Sequence, residues 1–187
     1  MISTGDLKKG VVIEIDNQLF QIMEYQHIKM GRGSAQVRMK LRNMRTQAVI
    51  EKTVQAGERW PRARLEHRTV QFLYEDPPNY IFMDQETFEQ MMLSKQILGD
   101  AVNYLKDGIE LEVLMNGEEA IGVELPITVE LKIAQTEPGF RGDTAAGGTK
   151  PATLETGLVV NIPLFVNEGE TIRVDSRTGT YIERVTS

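Results

Sequence analysis

The residues best placed to act on a partner lie in Ile28-Lys29-Met30-Gly31-Arg32-Gly33-Ser34, where one arginine stands between two glycines. Gly31 and Gly33 can take positive φ at no Cβ cost, so they suit the apex of a loop with little to pack against a protein body. An arginine held there offers a planar fork of five donors that stays charged, matching phosphates, ribose hydroxyls or a polar cleft. A plain solvated hairpin tip is the alternative use of the same residues. The strand that follows favours the first: Arg38, Lys40 and Arg42 alternate with Val37, Met39 and Leu41, so the three bases leave one face of a half-buried strand. A basic ladder leading to a basic tip predicts a polyanionic partner.

Other chemistry finds less support. His27 and His67 are too few for a histidine metal cluster, no cysteine is present to act as nucleophile or thiolate ligand, and no serine stands in a Gly-x-Ser-x-Gly turn. Carboxylates abound, but none is singled out as an acid/base pair. The expectation is a protein that is not an enzyme and uses neither metal nor cofactor.

The stretch from Glu137 to Pro151 invites three further readings. A P-loop needs Lys and then Ser or Thr directly after its second spaced glycine, whereas Gly147 is followed by Gly148-Thr149. Arg141-Gly142-Asp143 spells an integrin tripeptide, which a chain without an export signal would not use. A flexible linker does not belong inside a domain, where loops this long are usually functional or disordered. A binding loop remains, its backbone NH groups and the Thr144 hydroxyl available for contact.

The elements that must position these residues read as strands. The 187-residue chain has only 6% aromatic residues, which predicts small aliphatic cores. Neither a leader nor a membrane-spanning apolar run is legible, so a soluble cytoplasmic protein with no membrane role is expected. Charge divides along the chain: residues 1–64 carry 12 Lys and Arg against 6 Asp and Glu, and residues 65–187 carry 9 against 21. A basic segment on an acidic body suits a nucleic-acid-facing domain whose remainder limits indiscriminate binding.

Three segments are predicted, 1–64, 65–127 and 128–187. The first has strands near 11–15, 19–26, 37–42 and 48–54, with Asp16-Asn17 as a turn, and reads as an SH3-like barrel. Gly57-Glu58-Arg59-Trp60-Pro61 breaks the pattern and is expected to mark a linker region, with Trp60 packing near the domain junction. The second has strands near 69–74 and 80–83, a short helix over 86–92 opened by Asp84, and a hairpin of strands 110–115 and 120–125 turning at Asn116-Gly117. The third has strands near 129–134, 157–161, 171–174 and 181–185. Each of the last two fits a five-stranded OB barrel, so the class is all-β with three small barrels.

Three stretches carry a resemblance that covers essentially the whole chain: Lys29-Met30-Gly31-Arg32-Gly33-Ser34-Ala35; Tyr80-Ile81-Phe82-Met83-Asp84; and Pro138-Gly139-Phe140-Arg141-Gly142-Asp143-Thr144 with Lys150-Pro151-Ala152-Thr153-Leu154-Glu155-Thr156-Gly157. The sequence resembles the bacterial elongation factor P family. The resemblance implies a KOW-like, SH3-like barrel and two OB barrels in an L-shaped arrangement like tRNA. It implies a monomer bound to the 70S ribosome between the peptidyl and exit sites, in contact with peptidyl-tRNA and ribosomal RNA, that promotes peptide bond formation at consecutive prolines.

By position, Arg32 would face the acceptor end of peptidyl-tRNA, with Lys29, Gly31 and Gly33 shaping the tip and Arg38, Lys40 and Arg42 contacting the tRNA backbone. Gly142, Asp143, Thr144 and Ala145 match the loop near the exit-site codon, and Tyr181 and Arg184 fall in the region facing the small subunit. Many members carry Pro-Gly-Lys-Gly and lengthen that lysine; others carry an arginine, which some species glycosylate with rhamnose. Here Met30 and Arg32 replace Pro and Lys, which excludes lysine modification and leaves Arg32 either unmodified or rhamnosylated. The glycine after Arg32 differs from the tip of the rhamnosylated group. An elongation-factor-P-like paralogue shares the arginine tip but generally alters the Gly-Asp-Thr loop, which is intact here. A general OB-fold module for single-stranded RNA is the other alternative, and the acidity of residues 65–187 stands against it.

Overall fold

The computed structural model describes residues 1–28, 33, 35–139 and 148–185. Strands dominate, as expected: β1 (Ile2–Ser3), β2 (Val12–Ile15), β3 (Gln18–Ile28), β4 (Gln36–Asn43), β5 (Val49–Gln55) and β6 (Arg59–Trp60) come first. By density of contacts the chain divides into two compact units, Met1–His67 with Leu114–Gly122, and Arg68–Val113 with Val123–Ser187.

In the first unit β2, β3, β4 and β5 form an antiparallel sheet in that order, and β1 pairs with β6. Asp16 and Asn17 join β2 to β3 with φ of 50° and 59°, the double left-handed geometry that a type I′ turn requires and that Asp and Asn tolerate. Val37, Met39 and Leu41 are fully buried while Arg38 and Lys40 are exposed and Arg42 half-buried, so the alternation in β4 matches the sequence pattern. Their core includes Ile13, Phe20, Ile22, Val54 and Trp60.

Strand β6 corrects the linker expectation for residues 57–61, and the packed residue in it is Trp60. It pairs with Ile2 and is buried in the first core, because Gly57, at φ +95°, turns the chain into β6 and donates its NH to Thr4 Oγ1 at 2.7 Å. A smaller cluster in this unit packs Val12 and Met44 against Leu114 and Ile121.

The next elements are β7 (Glu66–Asp76), β8 (Asn79–Asp84), β9 (Gln90–Ser94), a short helix α1 (Lys95–Leu98) running into a 3-10 turn (Gly99–Tyr104), β10 (Glu110–Asn116) and β11 (Glu119–Glu124). Their sheet order is β11-β10-β7-β8-β9. The helix expected over 86–92 is not there. Asp84 Oδ1 accepts from the NH groups of Glu86 (2.8 Å) and Thr87 (3.0 Å), as a helix cap would, but Phe88 takes φ +60° and the chain reverses into β9. A left-handed residue ends helical propagation, so the same aspartate closes a tight turn. The helix comes later, where Ser94 Oγ accepts from Ile97 NH at 3.4 Å. The β10–β11 turn is also displaced by one residue: Gly117 has φ +63° and neither Asn116 nor Glu118 takes positive φ, the pattern of a Gly-first type II′ turn and not an Asn-Gly type I′ turn.

The remaining sheet has the order β14-β13-β12-β15-β16, built from β12 (Thr128–Thr136), β13 (Thr149–Leu154), β14 (Val159–Pro163), β15 (Thr171–Asp175) and β16 (Thr180–Arg184). Strand β13 was hidden by Pro151, which has no NH to offer a ladder. Pro151 pairs with Asn161 of β14 and lies one residue beyond the last β12 pair, Thr136 with Ala152, where Thr136 Oγ1 donates to the Pro151 carbonyl at 2.9 Å. Within the second unit, Thr156 Oγ1 donates to the Asn103 carbonyl at 2.6 Å, linking the region before β14 to the 3-10 turn.

Candidate functional site

The strands flanking the basic tip are the best-defined part of the expected site. β3 and β4 pair from Phe20 with Asn43 to Ile28 with Gln36, and Ala56 NH donates to the Ala35 carbonyl at 2.8 Å, tying the return arm to the end of β5. Gly33 is an exposed bend, whereas Lys29, Gly31 and Arg32 lie outside the described residues.

Directly opposed residues in an antiparallel sheet share a face, so the register gives the surroundings of the three bases. Arg38 stands between Gln26 and Thr53, Lys40 between Glu24 and Glu51, and Arg42 between Gln21 and Val49. The bases do share one face, but two carboxylates flank the middle one. Among the described residues none of the three is held in an ion pair. Arg38 and Arg42 are therefore the two bases on this face that no opposed carboxylate offsets. A cleft of about 260 Å³ elsewhere in the first unit, lined by Asn17, Asn43, Arg45, Asn116 and Glu119, contains none of them.

Gly142, Asp143, Thr144 and Ala145 also lie outside the described residues, but the two ends of their segment are well described. A Cβ on Gly139 would stand 2.5 Å from the Leu164 carbonyl oxygen and 3.2 Å from its carbon, so only glycine fits against that backbone. On the other side Lys150 is buried, and its Nζ donates to the Glu137 carbonyl at 2.8 Å. One contact pins the entry to the segment and the other ties its exit back to the entry. Neither residue was singled out in the sequence. Lys150 shares its inward register with Ala152 and Leu154, an alternation that could have shown it as a buried cation.

Tyr181 and Arg184 both lie on β16. Residues three apart on a regular strand face opposite ways, but Arg184 pairs with Ile172 and Tyr181 with Val174, which leaves Ile182 as an extra, bulged residue. The bulge returns both side chains to one face. Arg184 Nη1 donates to Glu170 Oε1 at 3.1 Å, and its guanidinium carbon lies 5.9 Å from the centre of the Phe165 ring. Phe165 is 63% exposed, leaving an aromatic surface beside a held cation.

No catalytic arrangement emerges among the described residues. They contain no group of three or more His, Asp or Glu able to hold a metal ion, and no helix long and apolar enough to cross a membrane. Among the described residues the most displaced carboxyl is Asp175, lowered to about 2 by the Arg177 side chain and then by the Arg177 NH, a pair that shapes the β15–β16 turn.

Comparison with known proteins covers nearly the whole chain. The family model for the Elongation factor P (EF-P) KOW-like domain matches residues 3–60, that for the Elongation factor P (EF-P) OB domain matches 65–123, and that for Elongation factor P, C-terminal, matches 129–184. Elongation factor P of Pelotomaculum thermopropionicum is 56% identical over 185 residues, 99% of this chain and 100% of that one. Elongation factor P of Moorella thermoacetica is 55% identical over 184 residues, covering 98% and 100%. The solved structure of Eukaryotic translation initiation factor 5A from Methanococcus jannaschii is similar at a TM-score of 0.52 and 22% identity, over 67% of this chain and 90% of that one, a likeness of fold alone. With identity above half over nearly the full length of both proteins, the chain belongs to the elongation factor P family of translation elongation factors.

Proposed function

We propose that the chain binds the ribosome between the peptidyl and exit tRNA sites and promotes peptide bond formation where consecutive prolines stall it, working in the cytoplasm as a monomer. In this reading segments 1–64, 65–127 and 128–187 act as separate domains, the first toward the acceptor end of peptidyl-tRNA and the third toward the exit-site codon and the small subunit.

The observation that carries the reading is the β3–β4 hairpin, which puts Arg38 and Arg42 on one face without carboxylate partners among the described residues and leads into the segment that contains Arg32. Bases so arranged bind phosphates and fix orientation without reading sequence. Proline has a restricted φ and no amide hydrogen, so its reaction waits on correct placement of the reacting ends. Ordering those ends can supply several kcal/mol, at about 1.4 kcal/mol per tenfold in rate. The chain then acts without a reacting group of its own. Arg32 would steady the peptidyl-tRNA end, and Asp143 and Thr144 would contact the codon side.

The test is synthesis through three consecutive prolines in a reconstituted translation system. Added chain should raise the rate there and leave a proline-free message unchanged. Equal effects on both messages, or none on either, would overturn the reading.

A further inference from the structure

The outer face of β7, β8 and β9 carries apolar side chains that the tip and the third-segment loop do not use. The register aligns Tyr74, Ile81 and Met92 as direct neighbours across the three strands. Ile81 is buried between them, while Tyr74 is 50% and Met92 61% exposed. Phe88, in the turn between β8 and β9, is 71% exposed although its φ of +60° is one that a side chain of its size disfavours. Glycine or asparagine would make that turn at lower conformational cost, and packing returns little at such exposure. A strained, exposed aromatic at the end of strands that carry an exposed apolar row points to a partner.

Charge identifies the partner's chemistry. Residues 69–94 contain five carboxylates, Glu75, Asp76, Asp84, Glu86 and Glu89, and neither lysine nor arginine. Asp76 follows Tyr74 on the same face at the β7–β8 turn, and Glu86 and Glu89 are exposed in the β8–β9 turn, whereas Glu75 opposes the core residue Tyr80 and Asp84 is buried in its own turn contacts. The corresponding face of OB barrels often binds oligonucleotides, but this one would repel a phosphate backbone.

We propose that this face docks a cationic protein segment, whose exposed apolar side chain seats on Tyr74 and Met92 while flanking lysines or arginines meet the acidic ends, with Phe88 as a second anchor. The proposal rests on the ribosome as the assembly in which the chain works.

The test uses the full chain and purified 70S ribosomes. With Met92→p-benzoylphenylalanine, irradiation should yield a crosslink that survives ribonuclease and whose partner peptide carries net positive charge. Phe88→Gly relieves the turn, so it should keep or raise Tm while weakening ribosome affinity by about tenfold, as loss of one aromatic anchor does. A purely structural Phe88 would leave affinity unchanged, overturning its role as an anchor. A chain that fails to pellet with ribosomes overturns both this proposal and the ribosome reading. Pelleting combined with a crosslink to ribosomal RNA, to a second copy of the chain, or to nothing overturns the face alone.

Discussion

Lys150 and Glu137 are joined by a 2.8 Å bond from the lysine Nζ to the main-chain carbonyl, across the base of the segment that carries Asp143 and Thr144. The lysine is 6% exposed, so its ammonium is committed to this contact and not to solvent. Lys150→Met keeps most of the aliphatic stem and removes the donor. It should cost about 1–3 kcal/mol, the range for a lost charged hydrogen bond that leaves a buried carbonyl unsatisfied. Urea unfolding measures the stability and sedimentation with ribosomes the binding, and both should fall. Unchanged stability would mean that the segment's base is held by Gly139 alone.

The segment itself should behave differently from its base. Asp143→Ala with Thr144→Ala should weaken ribosome engagement while stability stays within about 0.5 kcal/mol, the usual range for exposed substitutions. Parallel losses of stability and binding would make the segment structural.

Arg38 and Lys40 share a face but not an environment. Because Lys40 stands between Glu24 and Glu51, removing it deletes a charge already offset by its neighbours, whereas Arg38 has only Gln26 and Thr53 opposite. Arg38→Ala should therefore weaken ribosome binding more than Lys40→Ala and reduce the salt slope of log affinity by about one. Titrations at several salt concentrations check this, and equal effects of the two substitutions would show that the carboxylates are immaterial.

Two carboxyls make stability depend on acid. Asp84 is held below its usual 3.8 by the backbone NH groups of Thr87 and Glu86, and Asp175 is lowered to about 2 by Arg177. A depressed folded pKa favours the ionised form, so both contributions are complete above about pH 4 and are lost as pH falls toward 2. Tm measured from pH 6 down to 2 should drop in that window, and Asp84→Asn should drop less steeply. Superimposable slopes for the two proteins would contradict the assignment.

Much of this was legible beforehand, for identifiable reasons. Strict alternation at Val37 to Arg42 declared both a strand and its faces, because the period of a half-buried strand is written directly in side-chain polarity. Asp16-Asn17 declared its turn through residues that tolerate positive φ. Asp84 misled because an aspartate caps turns and helix ends with the same hydrogen bonds, and the sequence does not display φ at Phe88. Pro151 misled because its position just past the end of the β12 ladder, where no NH is needed, shows only in the register. The stretch 57–61 misled because the strand in it, Arg59–Trp60, is too short to show a period. At the site, the shared face of the bases was readable, but the carboxylates opposite Lys40 belong to β3 and β5, and only the register brings them there.

The central claim is that a guanidinium at position 32 acts on the peptidyl-tRNA end. Its most direct test is synthesis through three consecutive prolines with saturating Arg32→Ala, so that affinity is separated from action. The expected result is loss of rescue with unfolding unchanged, and Arg32→Lys should also lose most activity because an ammonium lacks the planar fork. Full rescue by Arg32→Ala at saturation would contradict the claim and assign the activity to the barrels.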